Sequence, residues 1–191
     1  MNKLLQQVRD CTLCREHLPF EPKPVIRASN NCSIVIIGQA PGTRVQHSGI
    51  PWDDPSGDLL RQWMQLDKQA FYNDQHIALM PMGFCYPGKG KSGDLPPRRE
   101  CAPRWHSEIT EKMPHRQLTV LIGQYSQRYY LGKKYQRNLT ETVRNFKQYL
   151  PSYFPLPHPS PRNRIWLRKN PWFHQEVLPQ FASLIEGILR Q

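Results

Sequence analysis

Residues 33–37 (Ser-Ile-Val-Ile-Ile) and 118–122 (Leu-Thr-Val-Leu-Ile) are short apolar runs rich in β-branched side chains, and each is followed by glycine. Such runs, without polar alternation, predict strands covered on both faces, as in a parallel sheet. Residues 76–82 and 153–156 predict two further strands. Between them the apolar positions switch to helical spacing. Leu59, Leu60, Trp63 and Met64, continuing to Asp67, form one stripe, with Ser56 placed to cap it. Helices are also predicted over 1–10, 104–113, 125–131, 139–150 and 175–189, the last broken or restarted by Pro179. Strands alternating with helices predict an α/β fold. The expectation is a three-layer α/β/α sandwich around a central, mainly parallel four-stranded sheet, in one domain spanning 1–191.

In open parallel sheets ligands bind beyond the carboxyl ends of the strands. Two loops leave such ends here. Gly38-Gln39-Ala40-Pro41-Gly42 follows the first strand, and its glycines let the backbone turn sharply and approach a ligand. His158-Pro159-Ser160-Pro161-Arg162-Asn163 follows the fourth strand and presents polar groups on a proline-stiffened loop. The topology alone therefore brings both loops to one edge.

Charge narrows the ligand. The chain carries 26 Lys and Arg against 15 Asp and Glu, a formal net charge of +11. That favours an anionic partner, foremost a nucleic acid, over a basic surface kept for solubility. Arg162, Arg164, Arg168 and Lys169 interleave with Trp166, Trp172 and Phe173, a pattern suited to phosphates and bases. No apolar run approaches the ~20 residues that span a bilayer, and residues 1–10 lack the apolar stretch of a signal peptide. No membrane partner and a cytoplasmic, monomeric protein are expected.

Of the five cysteines, Cys11 and Cys14 form a Cys-x-x-Cys pair, and Cys85 and Cys101 flank a loop rich in Pro and Gly. Two such pairs can close a four-thiolate site for zinc or a [4Fe-4S] cluster. The alternative is four unligated thiols. Cys32, beside the first strand, reads as a small buried apolar residue.

The 38–42 element, then Gly49-Ile50-Pro51-Trp52 and Ser56-Gly57-Asp58-Leu59-Leu60, resembles the first motif region of the iron–sulfur (family-four) uracil-DNA glycosylases. The 158–163 element is similar to the second motif of the single-strand-selective uracil glycosylases. The resemblance runs from Cys11 to about Asn163. It implies the uracil-DNA glycosylase fold and hydrolysis of the N-glycosidic bond of uracil or a related deaminated base flipped from DNA. It also implies that Cys11, Cys14, Cys85 and Cys101 bind a [4Fe-4S] cluster. Gly38, Gln39, Ala40, Trp52 and His158 then line the base site, Trp52 stacking on the base and His158 hydrogen-bonding its oxygen as charge develops. Ser160 holds a phosphate and Arg162 fills the gap left by the flipped base. Asn163, Arg164, Arg168 and Lys169 complete the DNA-binding set.

Three positions depart from that family. Its motif acid is Gln39 here, a poor proton acceptor. A second acidic position falls on Val45, and the base-reading asparagine falls on Pro81. Asp53 and Asp54 are the first candidates for a carboxylate that reaches the water, with His47 and Asp58 the other spare polar groups; Asp58 alternatively caps the following helix. These departures keep a second reading open, a DNA-binding protein of the same fold without cleavage. A hydrolase of free nucleotides or small anions is a third.

Overall fold

In the computed structural model, which describes residues 1–190, the chain forms six strands. They are β1 (Ile34–Ile37), β2 (Ile77–Leu79), the very short β3 (Lys89–Gly90) and β4 (Gly93–Asp94), β5 (Leu118–Ile122) and β6 (Tyr153–Leu156). The α-helices are α1 (Asn2–Arg9), α2 (Thr43–Ser48), α3 (Pro55–Met64), α4 (Lys68–Phe71), α5 (Cys101–Glu111), α6 (Gln124–Leu131), α7 (Leu139–Arg144), α8 (Arg164–Lys169) and α9 (Leu178–Leu189). The main sheet runs in the order β2-β1-β5-β6 and every pair in it is parallel. β3 and β4 form a separate antiparallel hairpin.

The period-two geometry of a strand divides β1 between two cores. Val35 and Ile37 face a core with Leu4, Leu5 and Val8 of α1, Trp105 and Ile109 of α5, and Leu131 of α6. Ile34 and Ile36 face the other, with Leu60 and Trp63 of α3, Phe71 of α4, Val143 of α7, and Phe181 and Ile185 of α9. The three-layer α/β/α sandwich follows directly. The second core is aromatic at its centre: Phe154 of β6 lies 4.8 Å from both Phe146 and Phe181, centroid to centroid. Each such buried ring stabilises the fold by roughly 2–3 kcal/mol. Pro155 lies in β6, which pairs only with β5, and an edge strand tolerates its missing N–H.

From β1 the chain visits β2 on one side and returns to β5 on the other. The strand order therefore reverses between β1 and β5, the place where open α/β sheets bind ligands. The 38–42 loop leaves β1 at this point, and the 158–163 loop leaves β6 on the same edge. Met82 N and Gly83 N donate to the Gly38 and Gln39 carbonyls at 2.9 and 3.0 Å, continuing the pairing into the loop.

Element boundaries differ from the sequence expectation where side chains compete for helix ends. Asp54, rather than Ser56, caps α3; its Oδ1 accepts from Gly57 N at 2.8 Å, with Pro55 at the first helical position. α5 begins at Cys101, before the expected 104, because Pro103 falls in the first turn where its missing N–H costs nothing. The helix expected over 139–150 stops at Arg144 and continues as a 3-10 turn, Phe146–Tyr149. There Asn145 Nδ2 bonds back to the Glu141 carbonyl at 2.9 Å. Pro179 lies in the first turn of α9, after a π-helical turn, Phe173–Val177, so the helix does start anew there. The short α2, α4 and α8 and the hairpin carried no readable pattern. No helix among the described residues is long and apolar enough to cross a membrane.

Candidate active site

A cavity of about 40 Å³ opens at the reversal point, lined by Gly38, Gln39, Ala40, Trp52, Asp54 and His158, with Val45, Pro51 and Pro81 among the apolar walls. The two motif loops thus meet in one pocket. Trp52 forms part of its wall. Its ring stacks on His158 at 5.8 Å with 30° between planes, and a methyl group on Gly38 would stand 2.8 Å from its Cζ2. Gly57 is needed for the same reason, since a side chain there would collide with the Trp52 carbonyl. Trp52 also adopts a φ of 60°, rare for a non-glycine residue. Strain of this kind persists only when surroundings impose it. Here Tyr72 donates its hydroxyl to the Pro51 carbonyl at 2.9 Å, and buried Arg61 reaches the Trp52 carbonyl at 3.4 Å.

His158 is half-buried. Burial pushes its pKa down, while the charges of Asp54 and Asp94 oppose that shift. The ring is therefore neutral at pH 7 and offers one N–H donor. Its backbone is fixed by the loop itself: Asn163 Nδ2 and Ser160 N both bond the His158 carbonyl, at 2.7 and 2.8 Å. Asn163 spends that amide on shaping the loop. Ser160 caps the following turn through its Oγ, which accepts from Arg162 N at 3.2 Å.

The carboxylates separate. Asp54 lines the pocket with one oxygen committed to the α3 cap. Asp53 is outside the lining and acts on Tyr72 instead. Asp58 pairs with Arg61 at 2.6 Å, and His47 Nδ1 bonds the Thr43 carbonyl on α2. Asp94, in the hairpin, escaped sequence reasoning. Its only signal there is that it shares with Glu100 a loop bracketed by two cysteines whose other charged residues are all basic. Gln39 Nε2 reaches the Leu95 carbonyl at 3.5 Å.

Arg162, Arg164, Arg168 and Lys169 are exposed on the 158–163 loop and α8. The interleaved aromatics join them at the surface only in part, contrary to expectation, for Trp166 and Trp172 are half-buried. Phe173 is fully buried, and Trp166 and Trp172 pack against the α3–α9 core. Trp166 Nε1 donates to Thr140 Oγ1 at 2.9 Å. The apolar group that α8 does expose is Ile165, 60 % accessible.

Cys11, Cys14, Cys85 and Cys101 line a second, smaller cavity with Arg98 and Trp105. Burial raises all of Cys14, Cys85 and Cys101, the last two to about 11 and about 12. Phe84 N donates to Cys101 Sγ at 3.3 Å, the Lys23 amide bonds Cys85, and Arg98 bonds Cys14. Among the described residues no three His, Cys, Asp or Glu side chains converge on a single-ion site. The four thiols surround a cavity rather than a point. Cys32 is fully buried with its Sγ donating to the Asp74 carbonyl at 3.1 Å, as a small core residue does.

At its reversal point the parallel sheet therefore carries a pocket walled in part by Trp52 and a neutral His158, beside the exposed basic residues of the 158–163 loop and α8. A family model for the uracil DNA glycosylase superfamily matches residues 27–182. The chain belongs to that superfamily, whose members act on DNA as hydrolytic glycosylases.

Proposed function

We propose that this protein hydrolyses the N-glycosidic bond of uracil or a related deaminated base in DNA. The observation that carries this reading is the meeting of the 38–42 loop, Trp52 and His158 in one pocket. Excision separates charge: the departing base takes the bonding pair and becomes an anion, while the sugar becomes cationic. A neutral His158 N–H is suited to donate to the base oxygen as charge develops there, and such donors act most strongly where water is excluded. Asp54, whose second oxygen is free of the cap, is suited to stabilise the cationic sugar. The cavity of about 40 Å³ has room for roughly three waters. A pyrimidine ring is larger, so entry of the base requires the walls to open, and Trp52, now stacked on His158, is suited to stack on the base.

Ser160, Arg162, Arg164, Arg168 and Lys169 form the DNA-facing set in this reading. The four cysteines are proposed to hold a [4Fe-4S] cluster. Four thiols around a cavity, with N–H groups donating to two of them, suit a group wider than one ion. Bound there, it would contribute structure, pinning the 85–101 loop against the fold. A brown preparation with equal iron and sulfide supports this; a colourless one containing zinc overturns it.

The function itself is tested with oligonucleotides carrying uracil, hypoxanthine or xanthine, single- and double-stranded. Abasic sites from at least one, lost in His158→Ala, are expected. Salt-sensitive DNA binding without abasic sites from any would instead establish the non-cleaving reading that Gln39, Val45 and Pro81 favour.

A further inference from the structure

The β3–β4 hairpin lies outside the pocket lining but touches both motif loops beside it. Three consecutive residues at its end each meet a motif residue. Arg162 Nη1 lies 3.1 Å from where a methyl on Gly93 would sit, Asp94 Oδ2 lies 3.6 Å from the same position on Gly42, and the Leu95 carbonyl accepts from Gln39 Nε2 at 3.5 Å. The hairpin is closed by Leu95 N donating to the Gly88 carbonyl at 2.8 Å. Buried Tyr86 donates its hydroxyl to Asp94 Oδ1 at 3.4 Å. The carboxylate is thus held through one oxygen, with the other directed at the 38–42 loop, while its side is open to solvent.

We infer that Asp94 is the catalytic carboxylate that takes the water proton, replacing from the hairpin the acid absent at Gln39. The inference rests on the glycosylase reading above. Neither neighbour competes for the role. Gln39 is a neutral amide, and the oxygen of Asp54 left free by the α3 cap is already assigned to the cationic sugar. The step balances. Water oxygen bonds to C1′ as the C1′–N bond breaks, the bonding pair leaves on the base, and His158 donates to the anion formed. The proton released by water passes to Asp94 and on to solvent, and solvent protonates the base. Tyr86 is a positioning residue that aims the carboxylate.

The test is single-turnover excision from whichever oligonucleotide the wild-type protein cleaves, with DNA affinity and melting temperature measured beside it. Asp94→Asn is expected to slow excision by about 10²-fold or more, with affinity and melting little changed. Asp94→Glu should recover part of the rate, and added formate should accelerate Asp94→Ala, because a free carboxylate can substitute for a proton acceptor but not for a structural contact. Tyr86→Phe should show a smaller loss. An Asp94→Asn rate within about threefold of wild type, or a slow Asp94→Ala that formate does not help, overturns the assignment and leaves the glycosylase reading standing. Wild-type protein that forms abasic sites with no base overturns both.

Discussion

His158 and His106 are both kept neutral by burial, with different consequences. At His158 the neutral ring is suited to the donor role that the proposed excision calls for. His158→Ala should lower the single-turnover rate by roughly 10²–10³-fold, the usual cost of one lost oxyanion donor, while DNA affinity stays near wild type. His106 has no route to substrate. Its Nε2 meets the Pro81 carbonyl at 3.1 Å and its Nδ1 meets the Tyr130 hydroxyl at 2.7 Å, fixing the segment that walls the pocket. Burial lowers its pKa from 6.5 to about 4. Between those values the unfolded chain takes up a proton that the folded one refuses. Its contribution is therefore complete above about pH 6.5 and falls as pH drops toward 4, by roughly 3 kcal/mol in all. Melting temperatures near neutrality and near pH 4 should show this loss, and His106→Gln, which cannot titrate, should shrink it. His158 was legible in the sequence because prolines bracket it beside Ser and Arg. His106 was not, because a single histidine within a helical pattern looks the same whether it faces water or the core.

At the level of elements, the proposed function makes α3 couple stability to chemistry through one residue, and the two are separable. Asn caps a helix about as well as Asp, whereas Ala loses the cap at a cost of about 1 kcal/mol. Asp54→Ala should therefore lower both denaturant stability and excision rate. Asp54→Asn should keep the stability and lower the rate alone, since it removes the charge facing the pocket. Equal rates for Asn and wild type would restrict Asp54 to capping. Ser56 looked like the cap because it precedes the apolar stripe; Asp54 prevails because Pro55 favours the first helical position after it. The four sheet strands were legible because burial on both faces leaves an unbroken apolar run. β3 and β4 were not, with two residues each and no apolar pattern. That blind spot is where Asp94 lies. Its place beside the pocket depends on Gly42, Gly93 and Arg162 meeting across more than 100 residues, which no local pattern encodes. The same limit explains Trp166, Trp172 and Phe173. Their interleaving with basic residues suits a DNA face, yet it also suits aromatics packed inward, as Trp166 of α8 and Trp172 and Phe173 beyond it are.

Across the whole molecule, the net charge of +11 makes nonspecific attraction to DNA inevitable, so the question is whether binding is focused. The fold gives an internal control. α8 leaves the pocket edge of the sheet, where Arg164 and Arg168 stand exposed one helical turn apart. α6 starts on that edge at Gly123 and runs back along the sheet, so Lys133 and Lys134, also exposed, lie toward the opposite edge. Each phosphate neutralised in duplex DNA adds about 0.9 to the slope of log affinity against log salt, and about 0.7 in single strands. If the α8 rim contacts phosphates, the pair Arg164→Gln and Arg168→Gln should flatten that slope by up to roughly 1.4–1.8. Lys133→Gln with Lys134→Gln removes the same formal charge and should leave the slope almost unchanged. Equal effects would mean that attraction is global and that the rim does not orient the DNA. A selective effect at α8 ties the charge to the pocket edge, where Arg162 already spans the 158–163 loop and the hairpin. Phosphates held on α8 would then place a flipped base between Trp52 and His158, so weakening the rim should also slow excision at limiting protein while leaving the rate at saturation intact.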